Sequence, residues 1–539
     1  MGAQREDGAR VEPALEVKPV RGFYTSPVIA TVTGPPDLEY FYTTNGSVPS
    51  PDSGQRWRGT TPIATTTVLR VAAFRKGLQV GPVATQTYLF PRQVLRQTGA
   101  GFPASWGNTN GEPVAAAYSM APELVADPQP DKLIEAALRA IPSVSLVLEM
   151  KDLFDPARGI YANPLESGIP WERSASVEWM DPGTGRGAQM DCGLRIQGGW
   201  NRRPEESPKH SFRLVFHQRY GPARCTFPLF AEPGAAHFET LILRAGCNNT
   251  WLHWSGEERR RGEYLRDQWM RDTLRAMGHR SARGAFVHLY LNGLYWGLYN
   301  LAERPSAPFM AAAYGGKAKQ YDSRNGNHIL DGDDVAWRRL MDHVHADPDE
   351  SKFPQLEQML DVRQFADFIL ANLYGANADW DGSSNWYAGR RRQPPGPFQF
   401  FVWDGERTLE SADANILTAD SEESPMRLFQ KLRRLAAFRT VFATEAIRHL
   451  SSSGALGPAA AAERFRKLAQ AIELPIVAES ARWGAYRRDV HPYKTGPYEH
   501  YTRERHWRPE VDRLLTEYFP ARTERLRQQL AAAGLLGED

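Results

Sequence analysis

From Gly22 to Phe90 apolar and polar residues form short strand-like runs set off by turn residues: Leu38 to Thr43, then Asn45-Gly46, later Thr67 to Phe74 and Thr85 to Phe90. Such runs mark strands that bury one face, and the turn chemistry between them predicts a small antiparallel β-sandwich. A Pro/Gly/Asn-rich stretch from Pro91 to about Pro128 interrupts the pattern, and one amphipathic helix is expected near Asp131 to Ala140. Strand-like runs resume at Ser143 to Glu149, Ser174 to Trp179, Cys192 to Gln197, His210 to Phe216, Phe238 to Arg244 and Ala285 to Tyr290, with one long helix predicted over Gly256 to Met277. Val287 to Leu291 and Tyr295 to Leu301 flank Asn292-Gly293, a strong hairpin signal whose turn favours positive φ at both centres. Beyond Pro305 helical periodicity dominates, interrupted only by a strand pair near Asn385 to Ala388 and Gln399 to Trp403, and no internal repeat is visible. The expected division is a flexible tail (1–21), a sandwich (22–90), a linker packed on the next domain (91–142), a β-rich lobe (143–303) and a helical lobe (304–539).

A chain of 539 residues is too long for one hydrophobic core and implies roughly three or four folding units. No run of about 18 apolar residues appears, so no membrane span is expected. With 65 basic against 63 acidic side chains there is no broad electrostatic footprint for nucleic acid, and charge-dependent partners must be met by local patches. Cys192, Cys225 and Cys247 are widely spaced without the pairing that holds zinc or frames disulfides, and buried free thiols are the expectation. Met1 to Val20 lacks the apolar stretch of a signal peptide.

The most informative segment is Asn377-Ala378-Asp379-Trp380-Asp381-Gly382-Ser383-Ser384-Asn385-Trp386-Tyr387, followed by Phe398-Gln399-Phe400-Phe401-Val402-Trp403-Asp404-Gly405-Glu406. Phosphoryl transfer needs a carboxylate to orient the attacking hydroxyl and oxygen ligands to hold Mg²⁺ against the phosphates. An Asp-to-Asn loop followed by a strand ending in Asp supplies those parts: Asp379 to orient or deprotonate the acceptor, Asn385 and Asp404 to hold a metal, and Glu406 to reach a second ion. Asp379 precedes Asn385 by six positions, one more than in protein kinases. The same residues also suit a plain Asx-type turn with strand caps, and Asp381 reads as a turn residue. Gly198-Gly199 before Trp200-Asn201-Arg202-Arg203 offers backbone amides and basic side chains to phosphates. Lys209 is either a phosphate-contacting lysine or a solvated one. Glu263 and Asp267 lie one turn apart, where either is able to pair with Lys209. Asp331-Gly332-Asp333-Asp334 reads as a helix N-terminus rather than a calcium loop. Walker, His-Glu-x-x-His and Gly-x-Ser-x-Gly motifs are absent.

Two resemblances sharpen this picture. Tyr42-Thr43-Thr44-Asn45-Gly46-Ser47, Leu69-Arg70-Val71-Ala72-Ala73-Phe74 and Thr87-Tyr88 resemble the fibronectin-like module at the ends of chitobiases and many exported enzymes. Such modules act as spacers or as glycan or cell-envelope contacts. Asn-x-Asp-Trp from Asn377, Asn385-Trp386-Tyr387 and the run from Phe401 to Glu406 resemble the acidic core of the spore-coat protein H (CotH) kinase family. The resemblance extends over Leu194 to Gly199, Pro208-Lys209, Ser211 to Arg213, Leu243 to Ala245, Tyr264 to Asp267, Gly297 to Arg304 and Glu479 to Gly484. It departs at Glu406, where many members have Asp, and at His210, where many have a second Lys.

Membership in that family implies an atypical, bilobal protein-kinase-like fold of multidomain α+β class: a β-rich N-lobe and a helical C-lobe behind the sandwich. It also implies transfer of the γ-phosphoryl of ATP to a serine or threonine of a protein substrate, with Mg²⁺ or Mn²⁺. Lys209, Gly198 and Gly199 would then face the nucleotide. Glu303 would stand at a hinge where backbone meets adenine, unless it is an interlobe salt-bridge residue. Family and module suggest export or a surface location. Two other classes stay open: a non-catalytic surface-binding protein on the same fold, which would have no need of a metal-ready acidic set, and a glycosidase using Asp379 and Asp404 as its carboxylate pair.

Overall fold

The sandwich segment supplies eight strands: β1 (Glu16–Lys18), β2 (Gly22–Phe23), β3 (Val28–Thr33), β4 (Glu39–Thr43), β5 (Gln55–Arg56), β6 (Thr60–Ile63), β7 (Thr67–Arg75) and β8 (Leu78–Leu89). The structure is a computed structural model that describes residues 15–109, 111–121, 123, 130–232, 234–346, 349–422 and 424–536. One sheet has the order β1-β3-β6 and the other β2-β8-β7-β4-β5. Their inward residues, among them Val17, Ala30, Ile63, Leu69, Val71 and Tyr88, form a core of their own. Strand β1 thus pairs with β3 inside the stretch expected to be a tail; residues 1–14 of that tail lie outside the described residues. Glu178, fully buried, joins the module to the next sheet: its Oε1 accepts from Arg21 Nε at 2.9 Å and from the Thr87 amide at 3.0 Å. Oε2 accepts from the Thr87 hydroxyl, so both oxygens of the buried carboxylate are satisfied, which is the condition for placing it there.

The stretch between module and barrel is structured rather than loose. It carries a short helix at Pro91–Val94, a hairpin of β9 (Ser105–Thr109) and β10 (Glu112–Ala115), and a helix at Pro130–Leu138. Trp106 and Tyr118 from this segment enter the barrel core beside Trp296 and Trp483, and the Trp106 indole donates to the Tyr118 hydroxyl at 2.9 Å. Burial of two large aromatics, each with its polar end satisfied, is what ties the connection down.

The strand-like runs from Ser143 onward close into a seven-stranded barrel: β11 (Ser143–Val147), β12 (Arg173–Met180), β13 (Gly187–Gln197), β14 (Ser211–Val215), β15 (Thr240–Arg244), β16 (Gly284–Leu291) and β17 (Leu294–Glu303), in the order β11-β12-β13-β14-β15-β17-β16. Neighbours are antiparallel except β11 and β16, whose parallel pairing closes the ring and leaves no edge strand. The hairpin turn has Asn292 at φ 46° and Gly293 at φ 85°. The Asn292 side chain accepts from the Leu148 amide and donates to the Leu148 carbonyl, which fastens the turn to the chain leaving β11. Cys192 and Cys225 are free and buried.

His288 in this hairpin is fully buried, with Nε2 2.8 Å from the Ala137 carbonyl and Nδ1 2.9 Å from the Tyr295 hydroxyl. Burial pushes its pKa down from 6.5 to about 4, so between those values the unfolded chain binds a proton that the folded chain refuses. Its contribution to stability is complete above the unfolded value and is lost as pH falls. A His288→Gln variant is therefore expected to be less stable than the parent at pH 7.5, with the gap closing by about 3 kcal/mol on going to pH 4. Urea unfolding of both chains at several pH values checks this; a gap independent of pH would show that the fold leaves the proton affinity of His288 unchanged, and a gap that widens as pH falls would show that His288 is charged inside the fold.

Beyond the barrel, helices enclose the largest core, built on Trp269, Phe365, Phe368, Phe400, Phe438, Phe465 and Phe519. The helix expected over Gly256 to Met277 is in fact two, Gly256–Arg260 and Arg266–Ala276. Tyr264 adopts φ 70° between them, and a Cβ at Gly262 would sit 2.9 Å from the Trp251 ring. The strand pair expected near Asn385 and Gln399 belongs to a four-stranded sheet of β18 (Tyr321–Asn325), β19 (His328–Asp331), β20 (Trp386–Arg391) and β21 (Gln399–Val402), ordered β19-β18-β20-β21. Strand β18 escapes the period-two rule because it buries Asp322, Ser323 and Arg324: Asp322 lies near Arg390 and Arg392, and Arg324 lies 3.9 Å over the Trp337 ring. Asp333 accepts from the Val335 amide at the start of the Val335–His345 helix.

Candidate functional site at the junction of barrel and helices

The register of β20 and β21 assembles the acidic segment. Trp386 pairs with Val402, so Asn385 stands just before one strand and Trp403-Asp404 just after its neighbour, at the same end of the sheet. Both Asn385 (φ 66°) and Asp404 (φ 59°) adopt the left-handed conformation, which Asn and Asp tolerate best among side-chain-bearing residues. Asp379 arrives from the Val362–Gly375 helix, which ends on Ala376 at φ 47°. The Ala378 amide donates to the Arg407 carbonyl at 2.8 Å, binding the Asp379 loop to the chain after Asp404. Asn385 Nδ2 donates to the Asp379 carbonyl at 2.5 Å. Left-handed residues without glycine also include Leu409 and Tyr264, and clustered backbone strain of this kind accompanies functional sites.

Arg244, at the end of β15, is the hub of the cluster. Its guanidinium meets Asp404 Oδ1 at 2.5 Å, Glu406 Oε1 at 2.8 Å and Asp267 Oδ2 at 3.2 Å. Burial disfavours the guanidinium charge, but the three carboxylates outweigh it and raise the pKa. Asp267 is shared with Arg271, and the two arginines overcome its burial and hold it below the usual carboxylate range. Glu406 is pushed up to about 8 by burial and by Asp404, which Arg244 only partly offsets. Asp379 stands at the open side of the cleft, its pKa raised by loss of hydration and then by Asp404. Asp379, Asp404, Glu406 and Asn385 present oxygen donors, the kind of ligand a hard divalent cation takes. Asp381, by contrast, accepts from the Ser421 amide and the Ser424 hydroxyl and serves the loop.

Lys209 is not solvated. It is buried with 2% of its surface exposed, and its ammonium donates to Glu479 Oε1 at 2.6 Å and to the Leu298 carbonyl at 2.7 Å. Glu479 Oε2 accepts from the Leu298 amide at 2.7 Å. Burial lowers the Lys209 pKa, and Glu479 opposes that shift. Neither Glu263 nor Asp267 pairs with Lys209: Glu263 is bound by Arg266, and Asp267 by Arg244 and Arg271. Gly297 at φ 123° makes room for the pair, since a Cβ there would lie 2.6 Å from Glu479 Oε2 and 3.0 Å from Lys209 Cε. A narrow cavity of about 30 Å³ lined by Arg244, Tyr264, Leu298, Tyr299 and Glu406 joins the neighbourhood of Lys209 to the carboxylates. It has room for a water or an ion, so anything larger must reach the acidic set from the exposed side of Asp379 and Asp404.

Two sequence expectations fare differently. Gly198 (φ 128°) and Gly199 open the loop that ends at Lys209, and a Cβ on Gly198 would collide with Asn201 Oδ1. A Cβ on Gly199 would meet nothing within 4 Å. Glu303, expected at a nucleotide-binding hinge or as an interlobe salt bridge, is no interlobe bridge. Arg283, immediately before β16, binds its carboxylate through Nε and Nη2, and the Glu303 amide donates to the Arg283 carbonyl. Arg244 and Glu479 were visible in the sequence only as members of family-like motifs, because their partners lie 160 and 270 positions away.

A closed barrel set against a helical core, with a carboxylate cluster at the junction and a β-sandwich module in front, defines a multidomain α+β protein. A family model described as CotH kinase protein matches residues 194–523, more than half of the chain, and the chain belongs to that family. The chitobiase/beta-hexosaminidase C-terminal domain matches residues 19–85, the sandwich module. No curated protein matches the chain.

Proposed function

We propose that this chain is a metal-dependent protein kinase that transfers the γ-phosphoryl of ATP to a serine or threonine hydroxyl of a protein, with the barrel as N-lobe and the helices as C-lobe of a kinase-like bilobal arrangement. The observation that carries the reading is the carboxylate cluster on Arg244, with Asp404 and Glu406 on its guanidinium and Asn385 holding the Asp379 loop, and a small cavity that leads from Arg244 and Glu406 to Tyr264 and Tyr299 beside the buried Lys209–Glu479 pair. Asn385, Asp404 and Glu406 would hold Mg²⁺ or Mn²⁺, which when bound supplies neutralisation of phosphate charge. Asp379 accepts the proton of the attacking hydroxyl as its oxygen bonds to the γ-phosphorus and the bond to the bridging oxygen of ADP breaks. Asn385 orients Asp379 by holding its carbonyl. Arg244 positions Asp404 and Glu406, and Lys209 would supply the cation that meets the phosphate chain. Gly198 and Gly199 would bring backbone amides to the same phosphates. The sandwich module supports contact with glycan or cell envelope.

The test is incubation of the full chain with γ-labelled ATP and Mg²⁺ or Mn²⁺, following label in the protein and in serine-rich and threonine-rich peptides. Labelling that requires the metal and is lost in Asp404→Ala supports the kinase. Undetectable nucleotide binding by calorimetry, with no labelling, overturns it in favour of a surface-binding role. Sugar release from chito-oligosaccharide would instead mark the carboxylates as a glycosidase pair.

A further inference from the structure

Away from the cleft, two helices of the C-terminal half turn a second set of ligand-type side chains toward each other. Asp367 lies in the middle of the Val362–Gly375 helix, and Glu445 and His449 lie one turn apart on the Ala436–Leu450 helix. All three are buried, and one ligand atom from each lies within 4.8 Å of the others. His449 Nε2 is 3.2 Å from Asp367 Oδ1 and 3.5 Å from Glu445 Oε2. Neither oxygen accepts a hydrogen bond of good geometry, although both are cut off from solvent; besides His449, only the partly exposed Arg448 approaches Glu445 Oε2, at 3.2 Å. Leaving a buried carboxylate oxygen unsatisfied costs roughly 1–3 kcal/mol or more, so two that converge on one imidazole nitrogen call for an occupant.

The spacing says which kind. Bonds of about 2.0–2.2 Å from zinc to imidazole nitrogen and carboxylate oxygen, in tetrahedral geometry, put ligand atoms about 3.3–3.6 Å apart. The separations from His449, 3.2 and 3.5 Å, lie just below and within that range. The outer shell is in place too: Asp367 Oδ2 is 2.6 Å from His279 Nε2, which turns Oδ1 toward the other two ligands, and Arg363 Nε holds Glu445 Oε1 at 2.7 Å. Arg448 completes the surroundings, with Nη1 3.2 Å from Glu445 Oε2 and Nη2 3.0 Å from both His449 Nε2 and the Met277 carbonyl. Its side chain is 42% exposed, so it is free to swing to solvent and surrender these contacts to a cation.

We infer that Asp367, Glu445 and His449 form a structural site for a divalent transition cation, zinc foremost, that staples the Val362–Gly375 helix to the Ala436–Leu450 helix. One imidazole and two carboxylates suit zinc better than the all-oxygen set at the cleft, so the two sites differ in the metal they take. Arg448 competes with the cation for the same ligands.

The test uses the full chain. After dialysis against a weak chelator, elemental analysis is expected to find about one equivalent of zinc. Replacement by Co²⁺ should give the visible absorption of a four-coordinate site, and zinc should raise the melting temperature. Spectrum and retained metal should both vanish in His449→Gln and in Glu445→Gln, yet persist in Asp404→Asn, which separates this site from the cleft. Arg448→Ala should bind the cation more tightly, by about tenfold. Protein that retains no metal and gives no Co²⁺ spectrum overturns the inference, as does a spectrum unmoved by both ligand substitutions.

Discussion

Changing Asp379 to Asn should lower the rate of phosphoryl transfer by about 10²–10⁴-fold while leaving ATP affinity within about twofold. The loop is held by its backbone, not by this carboxylate: the Asp379 amide donates to Asn377 Oδ1 and its carbonyl accepts from Asn385. An amide of the same shape therefore keeps the frame and removes only the proton acceptor. Because Asp379 stands at the open side of the cleft, it meets the acceptor rather than the nucleotide. The loss belongs in turnover, measured as initial rate against ATP concentration for parent and variant. An equal fall in nucleotide affinity would move Asp379 into the set that holds the phosphates and metal.

Glu479→Ala should cost about 3–5 kcal/mol of stability, because it strands the Lys209 ammonium in the barrel wall without its counter-charge. It also frees the Leu298 amide from its acceptor. Replacing both partners, as Lys209→Met with Glu479→Leu, should recover part of that loss, since an apolar pair avoids the desolvation of two ions. Recovery stays partial because both polar groups of Leu298 lose their partners. The double variant, though folded, should not transfer phosphoryl groups. Urea unfolding of the three chains and the labelling assay on the double variant check both halves. A double variant that still transfers phosphate would make Lys209 a purely structural residue.

How much of this was legible in the sequence depends on the distance between partners. The hairpin at Asn292-Gly293 and all seven barrel strands announce themselves, because turn chemistry and short strand-like runs are local. The convergence of Asn385 and Asp404 was legible as well, because two short strands joined by a turn leave their outer ends together. Closure of the barrel was not, since the parallel pairing of β11 with β16 joins Ser143 to His288 across much of the lobe. Glu479 as the partner of Lys209 was equally hidden; the nearer acids Glu263 and Asp267 satisfied the same spacing argument but were claimed by arginines on their own or facing elements. Strand β18 was missed because its buried side chains are charged and paired, which hydrophobic patterning does not see. The break in the expected Gly256–Met277 helix comes from Gly262 packing on Trp251, a tertiary contact that overrides helix periodicity.

Mn²⁺ binding to the full chain, followed by electron paramagnetic resonance with and without ATP, asks directly whether the cleft carboxylates hold a cation. Zinc should be present throughout to fill the helix–helix site. The parent chain should bind Mn²⁺ at the cleft, more tightly with ATP present, and Asp404→Asn should lose that binding while remaining folded. Mn²⁺ binding of equal strength in Asp404→Asn, or unaffected by ATP in the parent, would contradict the assignment of Asn385, Asp404 and Glu406 to the metal.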